Sequence, residues 1–162
     1  MSPLTLRKKE DWLKILKEVT VTTQMATALT DKEGKIIETC GQRCPLCIKI
    51  RENEKSLTYI CSQCNRSMLK AAKQGLEPVF DCCDAGLSRM VLPIICDHRV
   101  VGQITACGGV IHKDEIDSFY IAKQIGLDEE DIIEMADSTP IVSEDKIRNL
   151  AALISTDLVF NN

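Results

Sequence analysis

The chain has 162 residues, 44% of them hydrophobic and 27% charged, with a formal net charge of −4. That balance excludes a disordered or fibrous chain and allows a core that needs no covalent staple. The basic residues are scattered and the densest run, Arg7-Lys8-Lys9, is followed at once by Glu10 and Asp11, which excludes a nucleic-acid-binding stripe.

From the N-terminus, charges interrupt the first 25 residues, so no signal-peptide core is present. No later run approaches the ~20 apolar residues of a membrane span, and a single cytoplasmic domain over residues 1–162 is expected. Residues 4–19 place Leu6, Trp12, Leu13, Ile15 and Leu16 among charges behind a cap at Thr5, which predicts a helix. Thr20 to Leu29 is rich in Thr and Val, and Asp31-Lys32-Glu33-Gly34 parts it from Lys35 to Glu38, which predicts a β-hairpin. A cysteine-rich insertion over about 40–83 follows, with a helix from Ile60 to Gln74 closed by Gly75. Pro78 to Phe80 and Gly86 to Ile95 read as strands, and Asp97-His98-Arg99 turns the second into a strand from Val100 to Ala106. Pro93 belongs at an edge or bulge. C-terminal helices fill about 114–160: Asp114 to Gln124 closing at Gly126, a helix capped by Asp128, and a last one from Ser143. The order predicts an α+β fold, one antiparallel sheet with helices gathered on one side.

Nine cysteines in a reducing compartment point to metal or redox chemistry, and the odd number argues against a complete disulfide framework. Cys44-Pro45-Leu46-Cys47 and Cys61-Ser62-Gln63-Cys64 are two Cys-x-x-Cys pairs, with Cys40 before them and Cys82-Cys83 after. Such a turn brings two sulphurs to one side, and two turns complete a four-thiolate shell suited to zinc or an iron–sulphur cluster. Cys61 and Cys64 are expected at a helix N-terminus, where free N–H groups stabilise thiolates. The surplus thiols favour iron–sulphur, as 4Fe-4S, with zinc as the alternative. Cys96 and Cys107 lie on apolar strands and read as packing residues.

At Cys83-Asp84-Ala85-Gly86-Leu87, with Pro93-Ile94 and Gly102 following, the sequence resembles the PocR-type ligand-binding sensory domain. The resemblance continues through Gly108-Gly109, the helix around Phe119, Gly126 to Glu130 and Pro140 to Glu144. It implies a PAS-like sheet, and it implies that Cys47, Cys61 and Cys83 are the shared thiols, with a fourth ligand from Cys44 or Cys64. The candidate metal ligands are therefore Cys44, Cys47, Cys61, Cys64 and Cys83. Domains of this family sit ahead of output modules, so a sensor acting through a partner protein and a piece of a longer chain are both open.

His98 and His112 read as solvated residues. The run Asp128-Glu129-Glu130-Asp131 reads as acids at a helix start. Arg89, in an apolar strand, is either a solvated edge residue or an anion contact in a pocket. Ile147, Leu150, Ala151, Ile154 and Leu158 form one apolar helix face that suits core packing or, alternatively, a homodimer. The function expected is a sensor in which a small molecule or redox change acts on a cysteine-bound centre, with no catalytic residues. The competing readings are a zinc-stabilised binding module and a thiol- or metal-dependent redox enzyme.

Overall fold

A computed structural model describes residues 1–161. In chain order it contains α1 (Pro3–Leu6), α2 (Lys9–Thr23), β1 (Ala26–Asp31), β2 (Ile36–Cys40), α3 (Pro45–Glu52) and α4 (Glu54–Ser56). A π-helical segment (Leu57–Ser62) then runs into α5 (Gln63–Gly75), followed by β3 (Val79–Cys82), β4 (Ser88–Cys96) and β5 (Arg99–Gly109). A 3-10 turn (Lys113–Glu115), α6 (Ser118–Ile125), α7 (Glu129–Asp137), α8 (Glu144–Asp157) and β6 (Val159–Phe160) complete the fold. Among the described residues no helix is long and apolar enough to cross a membrane.

The sheet order is β2-β1-β5-β4-β3, all antiparallel, with β6 parallel to the end of β4. This is the expected α+β architecture, but the helices do not gather on one side. Strand alternation explains why. Leu29, Leu92, Ile94, Ile104 and Ala106 face a core shared with Trp12, Leu16 and Val19 of α2 and Ile147, Leu150 and Ile154 of α8. Thr30, Gln103 and Thr105 take the alternate positions of β1 and β5, and on β4 so does Val91, which packs under Met68 and Ala72 of α5. Both faces carry residues that must leave water, so helices cover both.

Trp12 anchors the first layer. It is fully buried, its indole Nε1–H donates to the Pro3 carbonyl at 3.0 Å, and the Arg7 guanidinium lies 5.6 Å from its ring. Full burial of each large side chain in this layer contributes roughly 1.5–3 kcal/mol. The apolar stripe of α8 is spent here. Ile147, Leu150, Ala151, Ile154 and Leu158 are all buried against α2 and the sheet, which overturns a homodimer through that face.

Three local expectations change, and a fourth, the edge position of Pro93, holds. Thr20–Thr23 is helical and not the start of a strand: the Thr23 hydroxyl donates to the Val19 carbonyl at 2.7 Å, one turn back, and Gln24 ends the helix in the left-handed region. The polar stretch after Gly41 holds α3, whose Cys44 N-cap and Pro45 start the helix. The left-handed cap of α5 falls on Leu76 (φ 54°), and Gly75 is its last helical residue. Pro93 sits in a gap on the outer edge of β4, beyond the pairing with β3 at Val91 and before that with β6 at Ile95.

The turn of the Cys83–Leu87 signature joins β3 to β4. Cys83 N–H donates to the Leu87 carbonyl at 2.9 Å and Gly86 N–H to the Cys83 carbonyl at 2.8 Å. Gly86 has φ +81°, and a Cβ there would stand 1.8 Å from the Glu115 carbonyl oxygen, so only glycine fits.

Candidate functional site

The thiols meet on the sheet face opposite α2 and α8. Cys44 and Cys47 of α3 lie in an apolar cluster with Leu46, Ile50, Ile60, Ala85 and Leu87, and Cys61 and Cys83 pack against it. Three separated segments, α3, the π-helical segment and the turn after β3, thus contribute four sulphurs. Gly108, at φ +102°, faces the first pair: a Cβ there would lie 3.3 Å from Cys47 Sγ and 3.8 Å from Cys44 Sγ. Cys64 stands apart from this cluster, its Sγ 3.7 Å from Met68 Sδ and packed with Ala72 and Val91, although its charge reaches Cys83. Cys40 packs against the α2 layer, Cys82 is exposed, and Cys96 is a packing residue in that same layer. All nine cysteines are free.

The first Cys-x-x-Cys pair, and not the second, stands at a helix start. The π-helical segment runs straight into α5, so Cys61 and Cys64 have a helical turn ahead of them. Cys44 is the N-cap of α3 and accepts from the Cys47 N–H at 3.5 Å. The Cys47 thiol donates to it as well, and together these bring Cys44 down to about 6 against the opposing effect of burial. Cys47, as the donor of that bond and itself buried, is pushed up. Burial also pushes up Cys64, to about 11, and Cys83, to about 12. Burial raises Cys61 too, more than Arg51 and Arg89 lower it. The buried Thr139 hydroxyl lies beside Cys44 and lowers it further.

The donor chemistry of this cluster, buried thiols alone, suits a soft metal. Among the described residues, however, no three Cys, His, Asp or Glu side chains already stand together as a shell that could hold a metal ion. His98 and His112 are exposed.

Next to the thiols is a cavity of about 300 Å³ between the sheet and the α3–α5 segment. Ala28, Thr30, Thr105 and Cys107 form its floor, and Leu57, Cys61, Ser62 and Asn65 its roof. Arg43, Arg51 and Arg89 line it from a loop, a helix and a strand. Arg43 Nη1 lies 3.3 Å from Cys107 Sγ, Arg89 Nη2 donates to Asn65 Oδ1, and Arg51 and Arg89 both act on Cys61. Arg89 is therefore a cavity residue and not a solvated edge residue. Cys107, read as packing, also belongs to the cavity. The alternation Gln103, Thr105, Cys107 against Ile104 and Ala106 was the available signal. Arg43, Arg51 and Asn65 carried none, since polar residues in polar stretches read as solvated.

The model of a family described as the sensory domain found in PocR matches residues 6–158. No curated protein matches the chain. Among solved structures, a transcriptional regulator of the IclR family from Rhodococcus sp. is 14% identical with a TM-score of 0.40, the match covering 91% of this chain and 62% of that one. The C-terminal domain of a transcriptional regulator from Vibrio cholerae is 15% identical with a TM-score of 0.40, covering 82% and 96%. An IclR homolog from Microbacterium sp. strain HM58-2 is 15% identical with a TM-score of 0.41, covering 96% and 68%. The chain thus spans less than two thirds of the Rhodococcus regulator.

Proposed function

The chain belongs to the family of sensory domains found in PocR, and from that premise we propose that it reads a small-molecule or redox signal in the cavity beneath α3–α5 and relays it to an output partner protein, with Cys44, Cys47, Cys61 and Cys83 holding an iron–sulphur cluster, 4Fe-4S, beside that cavity. The observation that supports this reading is the collection of four thiols from three distant segments into one buried cluster that borders a polar cavity. Thiols gathered from separate segments are the donor set that zinc and iron–sulphur centres use. Membership of the four in one cluster favours Cys44 over Cys64 as the fourth ligand.

When bound, such a cluster supplies a redox-active group that responds to oxidants or gases. The residues of the chain hold its place: Gly108 leaves room for the sulphurs of the first pair, the N-terminus of α3 favours thiolate at Cys44, and Leu46, Ile50 and Leu87 keep water out. A reducing cytoplasm is the compartment in which nine free thiols persist. No catalytic role is proposed, in keeping with a sensory family.

Anaerobic purification followed by a visible spectrum and by iron, sulphide and zinc analysis tests the centre. Iron and sulphide in comparable amounts, lost in Cys83→Ser and Cys44→Ser but kept in Cys64→Ser, are expected. Stoichiometric zinc without iron would replace the cluster with a zinc-stabilised binding module. Absence of both metals after anaerobic reconstitution would overturn the centre and leave the cavity as the sensing element.

A further inference from the structure

We infer that the cavity recognises a small organic oxyanion, a short dicarboxylate or tricarboxylate or a phosphate ester, held by Arg43, Arg51 and Arg89. The inference rests on the reading of the cavity as the sensing site and adds the chemical class of the ligand.

Three guanidinium groups from three different elements line one space, and no carboxylate lines it. None of the three is in an ion pair among the described residues; the chain's ion pairs belong to Lys9, Lys14, Lys32, Lys49 and Arg148. The carboxylate nearest in register to Arg89 is Asp81, opposite it across β3 and β4, and that carboxylate is turned to the Cys82 N–H at 2.8 Å. Gathering like charges in a part-buried space is unfavourable unless an opposite charge joins them. Arginine is also the side chain whose planar fork matches carboxylate and phosphate oxygens two at a time.

Part of the hydrogen-bonding capacity around these groups is unmet. Nε of Arg89 is buried without a partner. Gln103, only 1% exposed, has neither its amide oxygen nor its amide nitrogen paired. It lies on the cavity face of the sheet, directly across from Thr30 and two residues from Thr105, both of which line the cavity. Buried groups of this kind normally have partners, and a run of them beside one space marks a place that a polar molecule fills. Ala28, Ile36 and Leu57 supply apolar wall, which fits a carbon skeleton better than a bare inorganic ion. A volume of about 300 Å³ is at the small end for ligand sites.

Isothermal titration and thermal shift of the purified chain, as isolated, with succinate, citrate and glycerol 3-phosphate test this, with inorganic phosphate and neutral succinamide as comparisons. At least one organic oxyanion is expected to bind and raise the melting temperature, more weakly as salt is added, and succinamide is expected to do neither. The preference between succinate and glycerol 3-phosphate assigns carboxylate or phosphate. Arg51→Gln and Arg89→Gln should each weaken binding about tenfold or more, the loss of a charged hydrogen-bond donor. Arg66→Gln, on the exposed side of α5, should leave it unchanged. Circular dichroism shows whether each variant is folded, and Arg51→Lys, which keeps the charge and loses the fork, should fall between wild type and Arg51→Gln. Failure of all three organic oxyanions, or binding indifferent to both arginine substitutions, overturns the inference. Equal binding of succinamide overturns the anion class while sparing the cavity as sensing site. If the arginine substitutions change iron content or the visible spectrum and no oxyanion binds, the guanidinium groups serve the charge of the thiol centre and the inference falls.

Discussion

Replacing Gly86 and Gly126 with alanine separates backbone conformation from close packing. Both glycines are left-handed, with φ of +81° and +72°, yet a Cβ on Gly126 would find nothing within 4 Å. Gly126→Ala therefore meets only the left-handed penalty of roughly 1–2 kcal/mol, partly offset by the roughly 0.4–1 kcal/mol gained from a stiffer unfolded chain. At Gly86 the new Cβ would stand 1.8 Å from the Glu115 carbonyl oxygen and 2.6 Å from its carbon, where real Cβ contacts respect 3.0 Å. The obstacle is backbone, so the signature turn must open. Opening it breaks the Cys83 N–H bond to Leu87 at 2.9 Å and the Asp117 N–H bond to Ala85 at 3.3 Å, and lifts the buried Leu87. Two backbone hydrogen bonds at about 1 kcal/mol each, part of the burial of Leu87 and the φ penalty together give about 4–5 kcal/mol. Urea unfolding followed by circular dichroism reads both variants as midpoint shifts at constant slope. The melting temperature should fall by about 10–20 °C for Gly86→Ala and only a few degrees for Gly126→Ala. Equal costs, within about 0.5 kcal/mol, would refute the claim that close approach and not conformation fixes glycine in the signature.

Trp12→Ala should cost about 3–5 kcal/mol in the same assay, through the cavity left between α2 and α8, while Leu153→Ala on the exposed side of α8 should stay within about 0.5 kcal/mol. Asp117→Ala removes the carboxylate that accepts from the Tyr120 N–H at 2.9 Å at the start of α6 and should cost about 0.5–2 kcal/mol. Cys44 at about 6 lies well below its unfolded value near 9, so the reduced, metal-free protein should gain stability as pH rises from about 6 towards 9 and lose it as pH falls back through 6. Above 9, Cys64 and Cys83, held protonated up to about 11 and about 12, act in the opposite sense. Urea midpoints against pH should show the rise, and Cys44→Ser should flatten it; a flat wild-type profile contradicts the assignment.

The alternating and helical patterns were legible because they are local. Both hairpins, the C-terminal helices and the role of the α8 stripe in packing follow from periodicity that the sheet and core then use. Thr20–Thr23 was misread because β-branched residues favour strands unless the helix offers their hydroxyls a carbonyl one turn back, as Val19 does for Thr23. The coverage of both sheet faces was hidden in the same alternation: Thr30, Gln103 and Thr105 look like solvent positions until α3–α5 is known to fold over them. Spacing identified Cys44, Cys47, Cys61 and Cys64 as two pairs, but residues three apart share a face only on a regular α-helix. The π-helical segment Leu57–Ser62 inserts an extra residue into the turn at Cys61, which shifts the phase, and Cys64 goes to the Met68 cluster while Cys61 stays with Cys47 and Cys83.

The same segment ties the thiols to the cavity. Ile60 is fixed in the thiol cluster, whereas Leu57, Cys61 and Ser62 line the cavity roof, so one widened turn has a wall in each. Wide turns of this kind gather at functional sites because they trade regular hydrogen bonding for side-chain placement. On the other face, α2 and α8 meet the sheet through fully buried Trp12, Leu16, Leu92 and Ile94, a close-packed layer that resists small adjustments. On the proposed reading, a change in what occupies the cavity should reach α3 and the π-helical segment, which line it through Arg51, Leu57, Cys61 and Ser62, before it reaches the α2–α8 layer on the other face. The polar alternation of β5 thus gives the sheet two unlike faces, a close-packed core on one side and a charged cavity beside the thiol cluster on the other.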